Sequence, residues 1–350
     1  MIDYIKILIA NFSGIFDECE SFYRRKSITY YKLYNPEKKN SDVYLLLGHN
    51  ESKNLLSIEY SLRQWYFGGN SLSDLTKENL GKVFKKIADL LNIHILDLYT
   101  ASFTKCELGF NLMLKIPMRQ LEPMIIEYST LKRYCYEGET VGFRGSDRIL
   151  KVYDKFKEII EDSKGDEKSK RKKECDAFSK HNYHFVRPEI KMKDKESFIH
   201  SGLEHVMCVG DILKYYQDLY CFWAEEISKV VLLNEIIEDD SMKFKESLIA
   251  KVLKHEGYLS YKRLCFAKIK PKNRRCEILR EAKDVIKKYA NMEEYNTKKF
   301  RADVYKKMQC INRTRESLNM ERLRKILLVA PTKKKHPNNR KQKYLIYTKR

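Results

Sequence analysis

Three segments alternate apolar and polar or ionisable side chains with a period of two, and this pattern constrains the fold more than any other feature. In 107–114, Glu107, Gly109, Asn111 and Met113 share one face, and Leu108, Phe110, Leu112 and Leu114 share the other. In 149–154, Ile149, Lys151 and Tyr153 oppose Leu150, Val152 and Asp154. In 185–193, Phe185, Arg187, Glu189, Lys191 and Lys193 oppose Val186, Pro188, Ile190 and Met192. Each segment reads as a strand with an apolar back and a polar front. If the three lie in one sheet with their backs to helices, the front gathers Glu107, Glu189, Lys151, Arg187 and Tyr153.

The rest of the first 195 residues adds strands around this core. Residues 2–10, 28–34, 43–47 and 55–67 read as strands, with turns at Asn35-Pro36, at 48–50 and at Gly68-Gly69-Asn70. The last of these reads as a hairpin turn or a phosphate-cradling turn. Thr76 is a plausible N-cap for an amphipathic helix to about Asn92. A second extended pair spans 131–154 around a glycine-containing loop at 137–145, and Pro188 suggests a sheet edge or bulge. The run SKGDEKSKRKK (163–173) has no apolar residue and reads as an exposed loop, either merely solvated or following DNA phosphates.

Beyond residue 195 the period changes to that of helices, over 196–236, 242–256 (stopped by Gly257), 274–290 and 296–329. The cluster Tyr215, Tyr216, Tyr220, Phe222 and Trp223 reads as helical core. The expected fold is therefore α+β: a mainly antiparallel sheet backed by helices over 1–235, a helical basic domain over 236–330, and a basic tail over 331–350. A helix–turn–helix with Gly257 in the turn fits 243–290. Its basic bias suits either contact with DNA or a homodimer surface.

Composition narrows the partners. The chain has 69 Lys+Arg against 48 Asp+Glu, a formal charge of +21, which favours a polyanion. No run approaches the ~20 apolar residues of a membrane span, so nucleic acid is favoured over a membrane face. Nine cysteines without a CxxC pair or zinc-ligand spacing read as reduced thiols, and the chain as cytoplasmic. No GxxxxGK[ST] loop occurs, so ATP use has no support.

Two carboxylates among cations suit a hard divalent ion, Mg2+ or Mn2+. A tyrosine beside such an ion can attack a phosphodiester, the cation stabilising the charge that develops. The same residues are equally those of the solvated face of a half-exposed sheet.

The stretch VGFRGSDRILKVYDKFKE (141–158) resembles the Gly-Ser…Arg-x-x-x-Tyr-Asp-Lys-x-x-Glu signature of phage and plasmid rolling-circle replication initiators of the filamentous-phage gene II type. SLRQWYFGGNSL (61–72), TKCELGFNLML (104–114) and FVRPEIKMK (185–193) resemble three further segments of that family, in its order. The similarity covers roughly residues 1–235. It implies an origin-specific endonuclease and strand transferase in which Tyr153 attacks the scissile phosphate and keeps the 5′ end as a phosphotyrosine. By the same resemblance Lys155 neutralises the phosphate or assists the leaving 3′-oxygen, and Glu107 and Glu189 bind or orient the metal. Arg187 and Lys191 contact the DNA backbone, with Lys151, Arg144 and Arg148 as further DNA-binding residues. Implied partners are origin DNA, single-stranded or hairpin, and a host helicase, polymerase and single-strand-binding protein.

The chain departs from the family pattern in specific places. Glu107 stands for the commoner Asp, Lys105 for an Arg, and Pro188 lies inside the Arg-x-Glu strand. His181 and His184 have the wrong spacing for two histidine ligands on one strand face, so they read as loop or structural residues. Two other functions remain open: a non-catalytic DNA-binding replication regulator on the same fold, and a relaxase or transposase using the same tyrosine chemistry.

Overall fold

The computed structural model describes residues 2–328 except 39–40, 130, 137, 234–239, 290–294 and 314–317; the expected tail lies outside the described residues. The chain opens with β1 (Ile2–Ala10), β2 (Cys19–Arg25), β3 (Ile28–Tyr34), β4 (Tyr44–Asn50) and β5 (Leu55–Glu59). Helices α1 (Leu62–Phe67), α2 (Lys77–Leu90) and α3 (Ile95–Thr100) follow, then β6 (Ser102–Gly109) and β7 (Leu112–Leu114). Next come α4 (Met118–Met124), β8 (Ile125–Tyr128), β9 (Lys132–Tyr136), β10 (Thr140–Arg144) and β11 (Arg148–Asp154). Helices α5 (Lys155–Asp162) and α6 (Gly165–Lys180) lead to β12 (His184–Met192). The rest is α7 (Lys195–Ile199), α8 (Val209–Lys214), α9 (Tyr216–Ser228), β13 (Val230–Leu232), α10 (Phe244–Lys268), α11 (Lys272–Tyr289), α12 (Thr297–Ile311) and α13 (Met320–Leu327).

The architecture is α+β. One large antiparallel sheet runs in the order β2-β3-β4-β5-β1-β6-β12-β11-β10-β9, and β7 pairs with the first part of β12. Its back is the core: Ile5, Ile7, Leu108, Val152 and Ile190 are buried against Leu80, Phe84 and Ile87 of α2 and Trp223 of α9. Tyr216, Tyr220 and Phe222 join that core, as the helical spacing predicts. Helices α12 and α13 belong to it too, through Phe300, Val304, Met308, Leu323 and Leu327. Helices α10 and α11 instead form a separate cluster with Ile126 of β8, and β8 pairs with β13 in a small second sheet. The expected division at 235 falls among residues outside the described set. No helix among the described residues is long and apolar enough to cross a membrane.

Several local expectations are corrected by side-chain chemistry. The segment 55–67 is not one strand. β5 ends at Glu59, Ser61 accepts a hydrogen bond from the Gln64 amide, and this cap starts α1, which closes at Gly68 in the left-handed region (φ 77°). Gly68-Gly69-Asn70 is therefore a helix exit, not a hairpin turn. The turn placed at 48–50 lies inside β4, and part of the loop placed at 137–145 is β10. Most of the charged run 163–173 lies in α6, which Phe178 anchors against Phe156 and Phe185 (centroids 6.1 and 5.4 Å away). Helix α10 passes through Gly257 without a break, so the helix–turn–helix with its turn there is absent. One interior glycine costs a helix only about 1 kcal/mol.

Pro188 is the most informative of these corrections. Its strand, β12, lies in the middle of the sheet, between β6 and β11. Pairing with β6 starts at Glu189 opposite Gly109, and pairing with β7 starts at Val186 opposite Leu112. Arg187 and Pro188 thus face the break between β6 and β7, where no ladder partner is lost by an imide nitrogen. The seam is filled by Asn111, whose amide N–H donates to Asp74 Oδ1 (3.1 Å) and whose Oδ1 accepts from Arg187 (3.1 Å).

Candidate active site

Strand register places the front-face residues together. Tyr153 lies opposite Arg187 and Lys151 opposite Glu189 across β11 and β12, while Lys191 lies opposite Glu107 across β12 and β6. Tyr153 Oη donates to Glu189 Oε2 at 3.1 Å. Glu189 is nearly enclosed, and Glu107 forms an ion pair with Lys191. Burial, then the neighbouring Glu107 carboxylate, push Glu189 up to about 7. Burial and the facing Glu189 carboxylate likewise raise the Tyr153 phenol well above its usual range.

Beneath this pair lies a buried ionic network that sequence reading missed. Arg187 has 0% exposure. Its guanidinium lies 3.0 Å from Asp3 Oδ2, 3.3 Å from Asp74 Oδ1 and 3.5 Å from Glu189 Oε2. Gly109 makes room for it: a Cβ there would lie 3.1 Å from the guanidinium. Arg63 of α1 also meets Asp3 (3.1 Å) and donates to Asn70 Oδ1 and the Ser71 carbonyl, both at 2.9 Å. Burial pushes the Asp3 carboxyl up, but Arg63 and Arg187 outweigh it and hold Asp3 well below the usual carboxylate range. Lys307 of α12 reaches Asp74 at 2.6 Å and ties that helix to the network. Asp3 and Arg63 carried one available signal: each is a charged residue in or beside an apolar run, where burial demands a partner.

Lys155 lies at the start of α5, enclosed, donating to Asn70 Oδ1 (2.5 Å) and paired with Glu158. Burial, then the Arg63 cation, lower it to about 8. Its Nζ is 6.0 Å from the centre of the Tyr153 ring. It supports the site from below, and its enclosure corrects the expectation of direct contact with phosphate.

Tyr153, Glu189 and Glu107 open onto a cleft of about 830 Å3. Lys151 lies on its floor and Arg144 on its wall, so both can meet a substrate there. Tyr134 forms part of the same wall, its ring over Gly142, where an added Cβ would clash at 2.1 Å. Two expected DNA contacts are corrected. Arg187 has no exposed surface with which to touch a backbone. Arg148 points to the back of the sheet, 3.1 Å from the buried Glu226. Lys191 is partly exposed but committed to Glu107. His181 closes α6 and His184 opens β12, so both are structural in position.

The chain matches no protein-family model, no curated protein and no solved structure.

The donor chemistry at the cleft fits a hard divalent cation. Nine carboxylates line the cleft against three cationic side chains, so this part of a +21 protein is acidic. The mutual repulsion of Glu107 and Glu189 is the kind that a cation relieves. Among the described residues no group of three or more His, Cys, Asp or Glu is arranged around a metal. Two carboxylates are nonetheless sufficient for Mg2+, which keeps several waters and takes its remaining ligands from substrate phosphate.

Proposed function

We propose that the protein nicks and rejoins one DNA strand through a covalent 5′-phosphotyrosine at Tyr153, as an initiator of rolling-circle replication. The observation that carries this reading is the contact of Tyr153 Oη with Glu189 in an open cleft, with Arg187 locked behind the carboxylate. A phenol with a raised pKa is a weak nucleophile until a base takes its proton. Glu189, titrating near 7, is placed to do so as Oη attacks phosphorus. The P–O3′ bond breaks, the 3′-oxygen leaves, and the 5′ phosphate stays on Tyr153. Attack by a 3′-hydroxyl on the phosphotyrosine reverses the step, so rejoining needs no ATP.

The network beneath holds Glu189 in place, because Arg187 cannot rotate without breaking its pairs with Asp3 and Asp74. Glu107 and the second oxygen of Glu189 would hold Mg2+ or Mn2+. When bound, the ion supplies charge stabilisation at the phosphoryl oxygens. Lys151 and Arg144 bind the backbone at the cleft. The free 3′ end primes a host polymerase, and a host helicase and single-strand-binding protein act downstream.

The test is a covalent trap. Supercoiled origin plasmid or a single-stranded origin oligonucleotide, incubated with the protein and Mn2+, yields a denaturation-resistant adduct whose peptide map places phosphate on Tyr153. An adduct that persists in Tyr153→Phe overturns the nucleophile. Binding without any adduct overturns the enzymatic reading in favour of a regulator.

A further inference from the structure

The polar front of the sheet continues past the cleft onto β2–β5. Tyr23 lies opposite Tyr30, Tyr30 opposite Gly48, Gly48 opposite Ser57, and Ser57 opposite Leu8 of β1. Paired residues share a face, so this row faces the same side as Glu107 and Tyr153. Its back partners Leu33, Leu45, Leu47, Leu56 and Ile58 are buried in the core.

Aromatic side chains cluster along this part of the sheet, and their rings touch in series. Tyr23 and Tyr30 stack at 4.4 Å and 14°. Phe22 packs on Tyr23 (5.0 Å) and reaches Tyr44 (6.4 Å), and Tyr44 in turn meets Tyr34 (5.8 Å) and Tyr60 (5.6 Å). Lys32 Nζ lies 4.2 Å from the Phe22 ring centre and 5.4 Å from that of Tyr44. Phe22, Tyr23 and Tyr60 keep 46%, 43% and 43% of their surface exposed. At its inner end the series enters the cleft, since Tyr44 and Tyr60 line it together with Tyr153. On the opposite wall Tyr134 and Tyr136 meet at 6.4 Å, Tyr136 is 65% exposed, and Arg144 lies 5.5 Å from the Tyr134 ring centre.

A contiguous exposed aromatic patch marks a binding surface. Two observations favour one occupant. The rings are mostly tyrosines beside a cation, which suits bases with phosphates alongside better than the aliphatic side chains of a protein partner. The aromatic series also continues into the cleft that holds Tyr153, through Tyr44 and Tyr60. Duplex DNA hides its base faces, so the strand must be single.

We propose that the aromatic row of β2–β5 is a stacking track for single-stranded DNA, which leads the strand across the sheet to Tyr153. Seven strand spacings of about 4.8 Å separate β2 from β11, roughly 34 Å. At ~3.4 Å per stacked nucleotide this is a length of about ten nucleotides. The track deepens the reading of the cleft as a strand-transfer site, and it rests on that reading for its direction.

The test measures binding without cutting. Full-length protein in EDTA is titrated by fluorescence anisotropy against a dT15 strand and a 15-unit abasic strand carrying the same phosphates. Wild type should bind dT15 at least about tenfold more tightly than the abasic strand. Phe22→Leu, Tyr44→Leu and Tyr60→Leu, which keep apolar bulk but lose the ring face, should each weaken dT15 binding about five- to hundredfold. Abasic binding and the salt slope should stay unchanged in these variants. Equal wild-type affinity for the two strands overturns the track, as does wild-type dT15 affinity in all three variants. If a variant fails to fold, the wild-type comparison of the two strands decides alone. Ring-dependent binding by a chain that forms no adduct keeps the track and removes the nuclease reading. Adduct formation with ring-independent binding does the reverse.

Discussion

Tyr153 on β11 and Glu189 on β12 share one hydrogen bond, 3.1 Å long, between a phenol and a carboxylate that both titrate higher than usual. The pair arises because Tyr153 lies opposite Arg187, which puts Glu189 one diagonal step away on the same face. The phenol donates and the carboxylate accepts, so the bond favours a protonated Tyr153 beside an ionised Glu189.

Replacing the base should separate chemistry from binding. Glu189→Gln keeps the shape of the site but cannot take a proton. Its nicking rate should fall by at least about 10²-fold, since the proton acceptor is lost and the metal ligand weakened, while anisotropy in EDTA shows DNA affinity close to that of wild type. Loss of affinity in parallel with rate would mean that Glu189 organises the fold of the cleft.

The pH profile follows from the same residue. Glu189 is raised to about 7 and accepts a proton only when ionised. A cation held on its second oxygen favours the ionised form, so metal-supported single-turnover nicking should rise tenfold per pH unit on an acid limb that ends below about 7. An acid limb that persists unchanged in Glu189→Gln would remove Glu189 as the base.

Asp3 lies between two guanidiniums, and removing its charge takes away the carboxylate that Arg63 and Arg187 share, although Arg187 keeps Asp74 and Glu189. Asp3→Asn should cost about 3–5 kcal/mol by denaturant titration. The folded-state carboxyl is depressed, so its contribution is complete at neutral pH and is lost as the pH falls below the ordinary aspartate range. The difference in stability between wild type and Asp3→Asn should accordingly shrink on acidification; a constant gap would refute the ionic origin.

Lys155 has the opposite sign. Its folded pKa, about 8, lies below its ordinary value of 10.5, so the folded state binds fewer protons between these limits. Its burial cost is complete below about 8 and fades as pH rises toward 10.5. Thermal melts of wild type should gain stability relative to Lys155→Met across that window. A flat difference would show that Lys155 titrates normally.

Lys307→Ala should reveal how firmly α12 is tied to the site. Asp74 keeps Arg187 and the Asn111 amide when Lys307 is lost, and Lys307 is partly solvated. The loss should be about 1–2 kcal/mol, less than for a fully buried pair. A nicking defect beyond that loss of stability would show that the helix also sets the orientation of Arg187.

Much of the front face was legible in the chain. Glu107, Lys151, Tyr153, Arg187 and Glu189 share it because strand side chains alternate strictly, and a residue two places along has no choice of face. Thr76 as the cap of α2 was legible for an equally local reason: its hydroxyl accepts the Asn79 amide. Arg148 was misplaced although the rule was available, since it shares the parity of Leu150 and Val152. Ser61 competes with a strand pattern by capping, and the cap won.

What alternation alone determined was which side chains share a face, and hence that a tyrosine, two carboxylates and several cations would meet if their strands paired. Tertiary structure decided the pairing, and with it which charges remain available. Asp3, Asp74 and Asn111 come from three separate parts of the chain to meet Arg187, with Lys307 joining through Asp74, and no local pattern encodes that meeting. Burial removes water, so each charge must find its partner within the protein. That requirement turned Arg187 from an expected DNA contact into the buried support of Glu189.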